Sequence, residues 1–293
     1  MTPFLEAIRA GTILIFDGAM GTQLEERGIH PGPEWNVKSP EIVKEVHKAY
    51  ADAGATILIA NTFSANRISL ERAGDVDNLR EYNLAGVKIC REAANGRAYV
   101  AGDISSTGQM LEPYGDYTEE QFMAVFTEQA KVLAEAGADI FMVETMSDLR
   151  EAVIAVRACK AVSGIPVVAS MSFDPGAGGP KTMMGNDPET CALALDEAGA
   201  DVIGTNCGGL IPERVADLIA SMRSVTDKPL VAQPNAGLPE LIDGKAVFSL
   251  PPDAFAQGVL KCIESGARIV GGCCGTNPAH IAALRRAVDG FID

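Results

Sequence analysis

Arg268-Ile-Val-Gly-Gly-Cys-Cys-Gly-Thr-Asn-Pro-Ala-His280 holds, in one stretch, the unit from which the chain is built. The apolar pair Ile269-Val270 reads as the end of a buried strand. Gly271-Gly272 breaks it, Cys273 and Cys274 follow as adjacent thiols, and Gly275 turns the chain again. Thr276 or Asn277 offers an N-cap, with Pro278 in the first turn of a new helix. Two thiols therefore sit at the C-terminal tip of a strand in a glycine-opened loop. Adjacent cysteines rarely bond to each other, and a thiolate pair so placed suits a soft metal, of which zinc is the usual one. Cys207, in Ile203-Gly-Thr-Asn-Cys-Gly-Gly209, also ends an apolar run in a glycine-rich loop and is the expected third ligand. Three sulfurs with one position open is the pattern of a catalytic rather than a structural zinc site.

The same unit recurs along the chain. Apolar runs at Ile13-Leu-Ile-Phe-Asp17, Thr56-Ile-Leu-Ile-Ala-Asn61, Tyr99-Val-Ala-Gly-Asp103, Ile140-Phe-Met-Val-Glu144, Val167-Val-Ala-Ser-Met-Ser172, Val202-Ile-Gly-Thr-Asn206, Leu230-Val-Ala-Gln-Pro-Asn235 and Ile269-Val-Gly-Gly272 alternate with helical segments. Near-continuous apolar runs separated by helices indicate parallel strands buried on both faces. Eight such units in a chain of 293 residues predict an α/β fold, a single (β/α)8 TIM barrel, occupying 1–293 as one domain. The helix over 40–50 places Ile42, Val43, Val46 and Tyr50 on one face. Thr118-Glu-Glu-Gln121 reads as a capping box, Asp187-Pro188 starts a further helix, and glycines 54, 137, 199 and 266 stop helices before strands.

Composition narrows the function. A net charge of −15 without a local basic patch argues against nucleic acid and anionic membranes. No apolar run approaches the roughly 20 residues of a membrane helix, and the N-terminus lacks a secretory apolar core, so a cytoplasmic protein is expected. Seven cysteines in a chain of this length do not suggest a disulfide framework. Cys90, Cys159, Cys191 and Cys262 fall in helical patterns and read as filler.

The strand tips carry Asp17, Asn61, Asp103, Glu144, Ser172, Cys207, Asn235 and Cys273-Cys274. In a barrel these converge on the C-terminal face, where active sites lie. Asp17-Gly-Ala-Met-Gly-Thr22, Asn61-Thr-Phe-Ser-Ala-Asn-Arg67, Val143-Glu-Thr-Met-Ser-Asp148, Asn206-Cys207, Pro234-Asn-Ala-Gly237 and Gly271-Gly-Cys-Cys-Gly-Thr276 occur in order along most of the chain. On these stretches the chain resembles the homocysteine S-methyltransferase family, and within it the homocysteine-binding module of cobalamin-dependent methionine synthases. The resemblance implies a zinc-dependent methyltransferase that methylates homocysteine to methionine, with zinc on Cys207, Cys273 and Cys274. It implies that Asp17 and Glu144 handle the homocysteine amino group, and that Asn235 stands beside the metal and takes its open position when substrate is absent. One departure is visible: Cys207-Gly-Gly-Leu-Ile-Pro212 lacks the Gly-Pro that often follows the family's first zinc cysteine.

The residues support that chemistry. The thiolate is the nucleophilic form of a thiol, and zinc deprotonates a coordinated thiol outright. Asp17 and Glu144 suit a substrate ammonium, and backbone N–H groups from Gly18 to Thr22 suit its carboxylate. Plainer roles compete for several residues: Asp17 and Asp103 as turn caps, Asn61 and Asn66-Arg67 as loop-ordering groups, His30, His47 and His280 as surface residues. Gly176-Ala-Gly-Gly-Pro-Lys-Thr182 is not a phosphate loop, because Pro180 stands where an N–H is needed. For the donor, a quaternary ammonium needs an aromatic cage, and aromatic content is 5%. Trp35, Tyr114 and Tyr117 fall in expected loops and offer at most a small one. The expected donor is methylcobalamin on a corrinoid partner protein in trans, the chain being either free-standing or a fragment of a larger synthase. The alternatives are betaine or S-methylmethionine as donor, or a non-catalytic zinc- and thiol-binding module.

Overall fold

The computed structural model describes residues 1–242 and 245–292. Each of the eight apolar runs is a strand: β1 (Leu14–Ile15), β2 (Ile57–Ile59), β3 (Tyr99–Ser105), β4 (Ile140–Met146), β5 (Val167–Met171), β6 (Val202–Asn206), β7 (Leu230–Gln233) and the last, β10 (Ala267–Val270). Between β7 and β10 lies an antiparallel hairpin, β8 (Glu240–Ile242) with β9 (Lys245–Val247), that the run pattern does not foretell. The eight long-range strands pair in parallel in the order β1-β10-β7-β6-β5-β4-β3-β2. A parallel bridge between Phe16 and Ile57 joins the two ends of that order, giving the (β/α)8 barrel.

Side-chain alternation divides the core in two. Leu14, Phe16, Ile57, Tyr99, Ala101, Ile140, Met142, Val168, Val202, Val231 and Ile269 form one cluster, drawn from every barrel strand, that fills the lumen. Their neighbours in sequence, among them Ile15, Leu58, Val100, Phe141, Val143 and Ile203, pack outward against the helices. The period of two carries upward past the apolar layer. On the lumen side the next residues are Asp103, Glu144, Ser170, Asn206 and Gln233, all buried. The barrel is thus apolar below and polar at its C-terminal end, which is where a site can form.

The helix ends follow the sequence. Thr118 and Gln121 form the capping box of the helix Glu119–Glu135. Gly54, Gly137, Gly199 and Gly266 have φ of 99°, 83°, 99° and 112°, the left-handed region that a glycine enters at no steric cost. Two histidines differ from expectation. His47, on the helix Pro40–Asp52, is fully buried, and neither ring nitrogen has a partner among the described residues. His280 is buried too, with Nε2 2.9 Å from the Leu250 carbonyl oxygen. Helical periodicity locates an apolar face, but a histidine at its edge can fall on either side. His30 is exposed, as expected, beside Glu34.

Candidate active site

Two tight turns bring the thiols together. Cys207 has φ of 57°, and Gly208 after it has φ of 74°. A Cβ on Gly208 would lie 2.2 Å from the Phe173 carbonyl oxygen, so only glycine lets this loop tuck against the segment after β5. The Cys207 N–H donates to the Gln233 carbonyl at 3.1 Å, and the Cys273 N–H donates to that of Pro234 at 2.9 Å. Both cysteine loops are therefore anchored to the end of β7. The sulfurs of Cys207, Cys273 and Cys274 lie within 4.8 Å of one another, with Cys207 and Cys274 3.8 Å apart. Asn206 steadies the group: its Nδ2 donates to Thr145 Oγ1 at 2.7 Å and lies 3.7 Å from Cys273 Sγ. Its Oδ1 accepts from the Thr145 N–H at 2.8 Å and from Ser170 Oγ at 2.6 Å.

A second set of contacts fixes the Cys273-Cys274 turn. Thr276 Oγ1 donates to the Cys273 carbonyl at 2.7 Å and accepts from the Ala19 N–H at 3.1 Å. Tyr50 Oη donates toward the carbonyls of Ala19 at 2.9 Å and Thr276 at 3.1 Å. A Cβ on Gly18 would meet Thr276 Oγ1 at 2.6 Å and the Tyr50 ring at 2.8 Å. Gly18 is there because the first strand's turn must close on the last strand's thiol turn. Thr276 is spent on this clamp, and Asn277 caps the last helix, its Oδ1 accepting from the Ala279 N–H at 3.0 Å.

The chemistry of the three thiols fits a divalent cation. Hydrogen bonds from Cys273 and Cys274 hold Cys207 far below the ordinary thiol range, while their bonds to it push Cys273 and Cys274 up. Three thiols so close together, two of them in one turn, offer a cation three soft donors. Asn235 Nδ2 donates to the Gly208 carbonyl at 2.9 Å, whereas its buried Oδ1 has no partner among the described residues. A buried acceptor left unpaired is costly and suits a metal or a ligand donor.

The sulfurs open on a cavity of about 270 Å³. Asp103, Glu144 and Gln233 form part of its wall, and the Gly18–Thr22 turn forms another part. Burial, and then the Cys207 charge, pushes the Glu144 carboxyl up to about 8. Burial also raises Asp17 and Asp103 well above the carboxylate range, with Glu144 adding to both. Asp17 is not a cap of the Gly18 turn: its Oδ2 accepts from the Ile59 N–H at 3.0 Å, and its Oδ1 is buried without a partner among the described residues. It is not among the described residues lining the cavity. Asp103 does not cap a turn either, because β3 continues through it to Ser105 and its side chain stands in the cavity wall. Gln233 is not singled out by the run pattern; its place two residues before the tip Asn235 is the signal that finds it.

The remaining candidates order the frame. Asn61 Nδ2 donates to the Gly32 carbonyl at 2.9 Å, and Asn66 Oδ1 caps the helix Arg67–Ala73. Trp35 donates to the His30 carbonyl, Tyr117 stacks on Phe122, and Tyr114 is exposed. None of these three lines the cavity, whose one aromatic among the described residues is Phe63. No helix among the described residues is long and apolar enough to cross a membrane. A larger open groove, about 880 Å³, runs along the helix Glu119–Glu135 beside the Arg67–Glu128 ion pair, and none of its described lining residues is a cysteine.

Comparison with known proteins agrees with this architecture. The family model described as homocysteine S-methyltransferase matches residues 14–288. Methionine synthase of Mycobacterium leprae is 31% identical over 99% of this chain, and that of Mycobacterium tuberculosis 31% over 94%. The chain spans only 26% and 24% of those two proteins. Betaine–homocysteine S-methyltransferase 1 of Danio rerio is 30% identical over 96% of this chain and 74% of its own length. Among solved structures, the metallated homocysteine methyltransferase MmuM from Escherichia coli superposes with a TM-score of 0.78 at 26% identity, covering 97% of this chain and 99% of that one. With a family match over nearly its whole length, the chain belongs to the homocysteine S-methyltransferase family, a family of enzymes.

Proposed function

We propose that this protein methylates homocysteine to methionine, with zinc held by Cys207, Cys273 and Cys274 and a methyl-corrinoid protein as donor. The observation that carries the reading is the juxtaposition of three clustered sulfurs with a buried acidic cavity. A thiol-bearing amino acid fits both parts at once, its sulfur at the cysteines and its ammonium at the carboxylates. Zinc storage alone would need no such cavity. Zinc at the three sulfurs supplies a substrate thiolate at neutral pH, electron-rich enough to attack a methyl group.

The chain's own residues do the rest. Asn206 orients Cys273, and Asn235, bonded through Nδ2 to the Gly208 carbonyl next to Cys207, keeps a buried unpartnered Oδ1. Glu144, in the cavity wall, receives the substrate ammonium, and Asp17 is buried beside the cavity with its Oδ1 unpartnered among the described residues. The first-turn N–H groups of the helix Met20–Glu26 lie beyond Gly18, free of intrahelical acceptors, and take the carboxylate. The Ala19 N–H is excluded from that role, since Thr276 occupies it.

The lack of an aromatic cage among the described cavity residues supports a corrinoid donor over betaine. The similarity to known proteins does not separate the donors, since the chain is 31% identical to methionine synthases and 30% identical to betaine–homocysteine S-methyltransferase 1. The test is turnover with methylcobalamin, betaine and S-methylmethionine at equal concentration. Methionine from methylcobalamin supports the proposal. Robust turnover with betaine and none with methylcobalamin would overturn the donor and leave the thiolate chemistry standing.

A further inference from the structure

Thr145 breaks two rules of its strand at once. It lies inside β4 yet has φ of 57°, the left-handed region, where a β-branched residue is strained. It also shares a face with its neighbour in sequence. Alternation would send Glu144 into the lumen and Thr145 out toward the helices, but both line the cavity. The register of β4 against β5 explains this. Val143 pairs with Ala169 and Met146 with Met171, so β4 houses one residue more than β5 over the same stretch. That is a β-bulge, a device that re-aims a side chain.

The strain is spent on the amide of Asn206, on β6, two strands away. The Thr145 N–H donates to Asn206 Oδ1 at 2.8 Å, and Thr145 Oγ1 accepts from Asn206 Nδ2 at 2.7 Å. A backbone N–H can only donate, so it fixes which end of the amide is oxygen. Ser170 Oγ, 2.6 Å from the same Oδ1, agrees. One Nδ2 hydrogen is therefore held by Thr145. The other is left for Cys273 Sγ at 3.7 Å, while Glu144 Oε2, at 3.5 Å, stands at the limit for oxygen. An extended Thr145 would aim its N–H at a neighbouring strand and release the amide.

We infer that Thr145 is a positioning residue: its strained backbone presents the N–H and hydroxyl that lock the Asn206 amide and keep an N–H donor on Cys273 Sγ. The inference rests on the three-sulfur metal reading above and deepens it. Groups that hydrogen-bond a metal ligand set its orientation and its donor strength. An N–H on a thiolate sulfur draws off part of its charge, leaving more of the metal's positive charge for an incoming thiol.

The test is cobalt(II) substitution of the full-length protein, read by sulfur-to-metal charge-transfer absorption, in wild type, Thr145→Gly, Asn206→Ala and the double variant. Melting temperature and zinc affinity, the latter by chelator competition, are measured alongside. Glycine enters positive φ without strain but brings no hydroxyl. Loss of the N–H bond raises the energy of the sulfur lone pairs, so both single variants should absorb at longer wavelength. Zinc affinity should fall roughly tenfold as Cys273 loses its fixed orientation. The double variant should shift no further than Asn206→Ala alone, because Thr145 acts through that amide. Unchanged bands in Thr145→Gly, whatever its melting temperature, would reduce Thr145 to a structural role and overturn the inference. Shifts that add in the double variant would overturn it too. Should Thr145→Gly not fold, Thr145→Val, which keeps the shape and lacks the hydroxyl, gives the same comparison. Either overturning result, beside thiolate bands in the wild type, leaves the metal assignment intact. A wild type without thiolate bands would sink that assignment and this inference together.

Discussion

His47 provides a quantitative test of how the barrel wall is built. It lies on the helix Pro40–Asp52, three residues before the Tyr50 that ties the Gly18 turn to the Cys273-Cys274 turn. The imidazole is 0% exposed and burial holds its pKa down to about 4, against an ordinary value of 6.5. Between those values the unfolded chain takes up a proton that the folded protein refuses. Folding stability is therefore unaffected above about pH 6.5 and is lost as pH falls toward about 4. The difference between the folded and unfolded values corresponds to about 3 kcal/mol, of which about 2 kcal/mol is already lost near pH 5. Replacing the ring by a side chain of similar volume that cannot titrate, His47→Leu, removes this contribution and both unpartnered nitrogens. The assay is urea unfolding of wild type and variant near pH 7.5 and near pH 5, with stabilities from linear extrapolation. The wild type should lose about 2 kcal/mol more than His47→Leu between the two conditions. The same loss in both proteins would refute the argument, since other titrating groups are common to the pair.

Three further outcomes are expected at the site. Cys273→Ala/Cys274→Ala should abolish zinc retention and activity with the circular dichroism spectrum preserved, because the strand tips contribute little to the core; stoichiometric zinc in that variant would sink the ligand assignment. Glu144→Gln should weaken homocysteine by roughly ten- to hundredfold and spare zinc, with titration calorimetry and metal analysis as the readouts; wild-type affinity would place the amino group elsewhere. Gly208→Ala and Gly137→Ala both put a side chain at positive φ, but only the first meets a backbone oxygen, at 2.2 Å. Both should lose about 1 kcal/mol or more of stability, and only Gly208→Ala should lose zinc affinity, measured by competition with a chelator.

Much of this architecture is legible in the amino-acid sequence. Eight apolar runs ending in polar tips imply parallel strands buried on both faces, and eight strand–helix units in 293 residues are the size of a (β/α)8 barrel. The cysteines and Glu144 are visible because they stand at or beside those tips, where a charge or thiol has no packing role. Asp103 is harder to read for a physical reason: nothing local tells a strand that ends at an aspartate from one that continues past it. His47 and His280 defy the surface expectation because periodicity gives the direction of a helix's apolar face but not its width. The clamp from Tyr50 to Thr276 joins residues 226 apart in sequence and depends on barrel closure, which no local pattern encodes. The hairpin β8–β9 interrupts the strand–helix alternation, and its exposed Leu241 and Ile242 lack the buried signature that marks the other strands.

The central claim is that the three clustered sulfurs activate a substrate thiol at a metal. X-ray absorption at the zinc edge of the zinc-loaded protein, recorded before and after homocysteine is added, tests it most directly. The account predicts three sulfur ligands and one oxygen or nitrogen without substrate, from Cys207, Cys273, Cys274 and a lighter atom. With homocysteine bound it predicts four sulfurs. A sulfur count that stays the same when homocysteine saturates the protein would contradict it.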